Sequence, residues 1–232
     1  MILGDTGAGK STSLCPIPEI GHKGVDLKTT FVISCTTKPI PIRDSGKLFV
    51  VTTLADKLKT GNRLVTNDAN EVIAALNILN SDKSPFRTVI VEDINYLMQD
   101  YYMKNALSGG WDTPKSIGFF MGKIFDLFEK MDVNGITIVV TGHPQTNEQN
   151  QFSLKSTGRM VDEYLTPSGK FDVVLILKVI TTGKTVNRSF VTNNDGNTNG
   201  AKSPIGMFPD LYIKNDLGFV LDTVHEYYGT SK

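Results

Sequence analysis

Hydrophobic positions along the chain fall into two alternating patterns. Short apolar runs rich in β-branched residues form the first: Phe31-Val32-Ile33-Ser34-Cys35, Thr88-Val89-Ile90-Val91 and Ile136-Thr137-Ile138-Val139-Val140-Thr141. Such near-continuous hydrophobicity suits strands covered on both faces, as in a parallel sheet. Between these runs, apolar residues recur at helical spacing. Val72, Ile73, Leu76 and Leu79 make one stripe; Ile117, Phe120, Met121, Ile124, Leu127, Phe128 and Met131 make a longer one. A stripe of this spacing is a core-packing face before it is a binding face. The alternation predicts an α/β fold with a mostly parallel, twisted sheet, right-handed crossovers and flanking helices.

The pattern changes after residue 170. Phe171 to Ile180 and Thr185 to Thr192 read as two strands joined by Thr181-Thr182-Gly183-Lys184, which predicts a C-terminal β-hairpin extension. A polar Asn/Gly loop follows over 193–200, and Leu217 to Tyr228 predicts a short strand or helix. With no internal repeat and no interdomain linker, residues 1–232 are expected to form a single domain. Only Met1-Ile2-Leu3 precede Gly4, so the first strand is expected to be very short or cut short.

Composition narrows the function classes. The chain is 40% hydrophobic and 21% charged with a formal net charge of zero, so no global positive field advertises a polyanion. Any nucleic-acid contact would come from a local patch or from several subunits together. Cys15 and Cys35 are the only cysteines and lack metal-ligand spacing; they read as reduced core residues of a cytoplasmic protein. No signal peptide and no apolar run of bilayer length is present, so no membrane association is expected.

The chemistry sits first in the run Gly4-Asp5-Thr6-Gly7-Ala8-Gly9-Lys10-Ser11, followed by Thr12. In the pattern Gly-x-x-x-x-Gly-Lys-Ser, glycines let consecutive backbone N–H groups turn inward around phosphate oxygens. A helix opening at Ser11 and halted by Pro16 would add its N-terminal end. Lys10 supplies a cation for the β/γ-phosphates, and the Ser11 hydroxyl suits Mg²⁺. A P-loop also needs a carboxylate at the end of a neighbouring strand, and Val91-Glu92-Asp93 offers two. Glu92 directly ends the apolar run and takes the metal-side place, leaving Asp93 to orient or deprotonate the attacking water. A shift of one residue in strand register exchanges these roles. The third apolar run ends in Thr141-Gly142-His143-Pro144, which places His143 where a polar side chain could sense the γ-phosphate.

These segments resemble a family of bacteriophage ATP-binding proteins with short RecA-like cores, grouped with phage single-strand-annealing and recombination functions. The resemblance runs from Gly4 to about Tyr228. It includes Thr88–Met98, Val139-Val140-Thr141-Gly142-His143-Pro144, Thr157–Glu163 and the specific run Ala201-Lys202-Ser203-Pro204-Ile205-Gly206-Met207-Phe208. The family usually carries aspartate where this chain has Glu92, and has more residues before the P-loop. The resemblance implies a RecA-like P-loop NTPase fold, ATP and Mg²⁺ as ligands, self-assembly into a homo-oligomer, and action on single-stranded DNA in the host cytoplasm. A phage single-strand DNA-binding protein is an expected partner. It also implies a basic finger reaching a neighbouring subunit's site; Lys202 is the expected residue, with Arg159 and Arg188 as alternatives.

Three other functions share parts of this pattern. A helicase or helicase loader uses the same core and differs by strand separation. A non-catalytic scaffold would bind nucleotide without turnover. A nucleoside kinase would carry an arginine-rich lid, and the sequence has no such cluster.

Overall fold

The three apolar runs occupy the middle of an eight-stranded sheet in the computed structural model, which describes residues 1–107, 112–147, 151–157 and 160–230. They are β2 (Thr30–Ser34), β4 (Thr88–Glu92) and β5 (Thr137–Gly142). β1 (Ile2–Leu3) lies between β5 and β8 (Leu175–Thr182), pairing parallel with both. β3 (Arg63–Val65) forms one edge, and β9 (Thr185–Val191) and β10 (Tyr212–Lys214) extend the other. The full order is β10-β9-β8-β1-β5-β4-β2-β3, parallel from β8 to β3 and antiparallel through β9 and β10. A small separate hairpin joins β6 (Pro144–Thr146) to β7 (Phe152–Leu154).

Alternation along each strand sends side chains to two cores. Leu3, Phe31, Ile33, Val89, Val91 and Val140 face one side. There they meet α3 (Ala69–Leu79), α4 (Asn95–Lys104) and α5 (Asp112–Val133). Ile2, Val32, Ile90, Val139, Leu175 and Leu177 face the other, with Leu14, Cys15, Phe49 and α6 (Leu217–Tyr228). Between the two packed faces the sheet has little room for polar groups, which is why its strands read as continuous apolar runs. The long Phe/Met stripe is buried along α5, as its spacing predicts. Strand β1 is separated from the acidic strand β4 by β5. This order, with helices on both faces, is that of a RecA-like P-loop α/β fold.

Some boundaries differ from expectation. The strand expected from Phe171 begins only at Leu175, with a 3₁₀ turn over Pro167–Lys170 ahead of it. Leu217–Tyr228 is a helix, capped at Asp216, whose carboxylate accepts from the Gly218 and Phe219 N–H groups. The helix after the P-loop, α1 (Lys10–Ser13), is a single turn ended by the Leu14-Cys15-Pro16 segment. Cys15 and Cys35 are both free and buried, and burial pushes the Cys15 thiol up to about 12. Among the described residues, no helix is long and apolar enough to cross a membrane.

Candidate functional site

Parallel strands place their C-terminal ends, and the loops that follow, along one edge of the sheet, where ligands of open α/β folds bind. Register brings three of those ends level. Leu3 pairs with Gly142, and Val91 pairs with Val140. Gly4, His143 and the Glu92-Asp93 pair therefore stand along one edge.

The loop over residues 4–9 turns tightly. Ala8 N–H donates to the Asp5 carbonyl, while Asp5, Thr6 and Gly7 are exposed at its tip. Ser11 and Thr12 occupy the single turn of α1 and are partly buried. The short helix contributes few aligned peptide dipoles, so the backbone N–H groups of the loop carry most of the anion-binding capacity. Gly9 has φ 110°, and a Cβ there would stand 2.7 Å from Asn215 Nδ2 and 2.8 Å from Arg188 Cδ. Glycine is required at this position by both backbone and space.

Lys10 is 6% exposed, and its ammonium donates to the Gly4 carbonyl at 2.8 Å and the Asp5 carbonyl at 3.3 Å. Its Nζ lies 3.8 Å from Asp93 Oδ1. Burial lowers the Lys10 ammonium from its ordinary value, against opposing pulls from Asp93, Asp5 and Glu92. Asp93 takes a left-handed φ of 56°, uncommon outside glycine, and its N–H donates to Thr141 Oγ1 at 3.0 Å. That turn separates the two carboxylates. Asp93 faces Lys10, whereas Glu92 is buried and accepts from Ser34 Oγ at 2.9 Å. Ser34 Oγ in turn accepts from Arg63 Nε at 2.9 Å, so a buried guanidinium stands behind Glu92.

His143 belongs to the same cluster. Burial and then the Lys10 charge hold its ring below the usual histidine value, with Asp93 opposing. The His143 backbone N–H donates to Asn95 Oδ1 at 3.2 Å, and Tyr96 meets the imidazole ring edge-on at 5.9 Å between centroids. Asn95 is 1% exposed, and its Nδ2 has no hydrogen-bond partner.

Mg²⁺ takes hard oxygen ligands, with one or two carboxylates supplementing substrate phosphates. Ser11, Glu92 and Asp93 offer that donor set. Asp93 Oδ1 is buried without a hydrogen-bond partner, with the Lys10 ammonium 3.8 Å away, and would accept from a water of a hydrated ion. Among the described residues, no three His, Cys, Asp or Glu side chains gather into a metal cluster. The residues therefore fit an ion shared with phosphate rather than a closed protein cage.

Lys202 stands elsewhere. Its backbone pairs with Val174, next to the Leu175–Ile2 pairing at the N-terminal ends of β8 and β1. It therefore stands back from the strand ends at which the P-loop begins, across β8 from β1, and is not among the residues that gather around Lys10. Arg159 lies outside the described residues. Arg188 is on β9, beside Gly9. Sequence reading missed Asn95, Ser34, Arg63 and Asn215. Asn215 is 2% exposed and donates from Nδ2 to the Gly9 carbonyl at 3.0 Å. None of these four sits in a recognisable spacing; only the fold brings them to the site.

No protein-family model matches the chain, and no curated protein matches it in sequence. Among solved structures, the chain is similar to the crystal structure of a KaiC-like protein from the hyperthermophilic archaeon Pyrococcus horikoshii OT3. The identity is 12% and the TM-score 0.44, over 82% of this chain and 76% of that one.

Proposed function

We propose that this protein is a Mg²⁺-dependent ATPase of bacteriophage type that self-assembles and acts on single-stranded DNA. One observation carries the ATPase reading: Lys10, Asp93 and His143 converge just beyond a glycine loop shaped for phosphate. The loop N–H groups bind and orient the phosphate chain. Lys10 places positive charge where negative charge develops during transfer, the largest contribution expected in such sites. Asp93, with an oxygen free of other hydrogen bonds, accepts a proton from or orients the attacking water. The His143 ring, kept neutral at pH 7 by its lowered pKa, donates from one ring nitrogen towards the transferred group. Mg²⁺ bound by Ser11 and Glu92 would neutralise phosphate charge.

The phage setting, the single-stranded DNA substrate and the assembly rest on the sequence resemblance, above all the run Ala201–Phe208. Lys202 pairs with Val174 rather than joining the cluster around Lys10, and in this reading it serves the site of a neighbouring subunit. A helicase or loader shares this site, as does a scaffold that binds without turnover. ATP hydrolysis is measured with and without single-stranded DNA, alongside sizing of the assembly. Turnover that DNA stimulates without strand separation is the expected result. Tight binding with no turnover under either condition would replace the ATPase with a scaffold. Lys10→Ala, if folded, should lose nucleotide binding or hydrolysis almost entirely; unchanged turnover would remove the P-loop assignment.

A further inference from the structure

Two cations meet the phosphate loop at its two ends. Lys10 lies on the side of Gly4, Asp5 and Asp93. Arg188 comes from the hairpin and lies against Gly9, the residue just before the lysine. Its placement follows from register. Arg188 pairs with Val179 and Phe190 with Leu177, so these side chains share one face of the hairpin. Leu177 and Phe190 belong to the core on the α1 side, and Leu177 packs beside Gly4. Two residues further out, the same face delivers Arg188 to the rim of the loop.

A surface arginine normally extends into water or pairs with a carboxylate. Arg188 does neither fully. It is exposed, yet its Cδ and Nε stand 2.8 and 3.5 Å from where a Gly9 Cβ would be. Among the described residues it makes no ion pair; Asp195 is taken by Lys178 and Asp216 by Lys214. Asn215 grips the Gly9 carbonyl from the same side, holding the peptide against which the arginine stem packs. The result is a guanidinium with its aliphatic stem anchored, its charge uncompensated and its donors free, at a loop built for phosphate. Planar guanidinium donors match phosphate oxygens two at a time.

We propose that Arg188 binds the α/β-phosphate end of the nucleotide held by its own chain, opposite Lys10 at the β/γ end. This rests on the nucleotide-site reading above. Gly9 opens the turn whose N–H groups cradle the α- and β-phosphates, whereas Lys10 reaches the β/γ pair. Arg188 therefore contributes equally to ATP and ADP, and its effect falls on binding rather than on the chemical step. A basic finger acting in trans on the transferred phosphoryl would do the opposite.

The test titrates fluorescent ATP and ADP analogues into the full chain and into Arg188→Ala, Arg188→Lys and Lys10→Ala, each checked for native circular dichroism. Loss of a charge-assisted contact should weaken both nucleotides by the same factor, roughly 10- to 100-fold, in Arg188→Ala. Arg188→Lys should recover part of that loss, and kcat at saturating ATP should change little. Wild-type affinity for both nucleotides in Arg188→Ala, while Lys10→Ala loses binding, overturns the proposal and leaves the P-loop reading intact. A wild-type chain that binds neither nucleotide overturns both. Mixing Arg188→Ala with Lys10→Ala should restore no activity at subsaturating ATP; restoration would show that the arginine serves a neighbouring subunit and would overturn the assignment in cis.

Discussion

Lys10 and Asp93 face each other across the phosphate loop at 3.8 Å, with only 6% and 13% of their side chains exposed. Glu92, one residue earlier, turns instead to Ser34. The left-handed backbone of Asp93 produces this divergence. Neighbouring carboxylates thus acquire different surroundings and different expected tasks.

Asp93→Asn should leave nucleotide affinity within a few-fold and slow turnover by about 100-fold, the scale of a lost general base. Glu92→Gln should instead raise the Mg²⁺ concentration needed for half-maximal nucleotide binding. Titrations of Mg²⁺ with single-turnover rates separate the two. The reverse pattern would exchange the roles of the pair.

His143→Ala should lower kcat about 100-fold while nucleotide affinity changes little, because a phosphate sensor acts mainly in the transition state. Burial and Lys10 lower the ring pKa from its ordinary 6.5, so the neutral ring is the donor above that value, and protonation at lower pH makes both ring nitrogens donors and adds charge. The ratio of wild-type to His143→Ala kcat should be flat above pH 6.5 and grow at lower pH. Equal, small changes in kcat and affinity would make His143 a bystander.

Lys202→Ala should lose ATPase activity by 10³-fold or more under assembling conditions, the scale of a finger supplied in trans. Mixed with Lys10→Ala, it should regain part of that activity, since some interfaces then pair an intact P-loop with an intact lysine. Full activity in Lys202→Ala alone would end the finger assignment.

Asp216 is fully buried, and its carboxylate accepts from the Lys23 and Gly24 N–H groups as well as from its own helix. Burial pushes its pKa up, but these hydrogen bonds and Lys214 outweigh burial and hold it below the ordinary 3.8. A carboxylate depressed in the folded state stabilises above its unfolded pKa and ceases to as pH falls through the folded value. Asp216→Asn should therefore cost about 2–3 kcal/mol at pH 7. Urea unfolding should show that difference narrowing below pH 3.8. A difference independent of pH would mean that shape, not charge, matters there.

The sheet strands and the long helix were legible because burial on two faces leaves a signature in single residues. Thr88–Val91 and the α5 stripe needed no tertiary information. Strands β3 and β10 were not, because three residues at a sheet edge carry too little pattern and are set by their neighbours. At the site, Lys10, Asp93 and His143 stand in motifs whose spacing reflects local chemistry. Asn215 and Arg188 approach Gly9 only because the C-terminal strands return beside β1, and local patterning contains no trace of that return.

That return orders events in time. Asn215 and Gly9 are 206 residues apart, and Asp216 and Gly24 are 192 apart. During synthesis the glycine loop leaves the ribosome 206 residues before the Asn215 that walls it. Contacts of such separation close late, after the loop entropy between them has been lost. A nascent chain can carry the complete phosphate motif and still lack a complete phosphate site until the segment around Asn215 has emerged and docked.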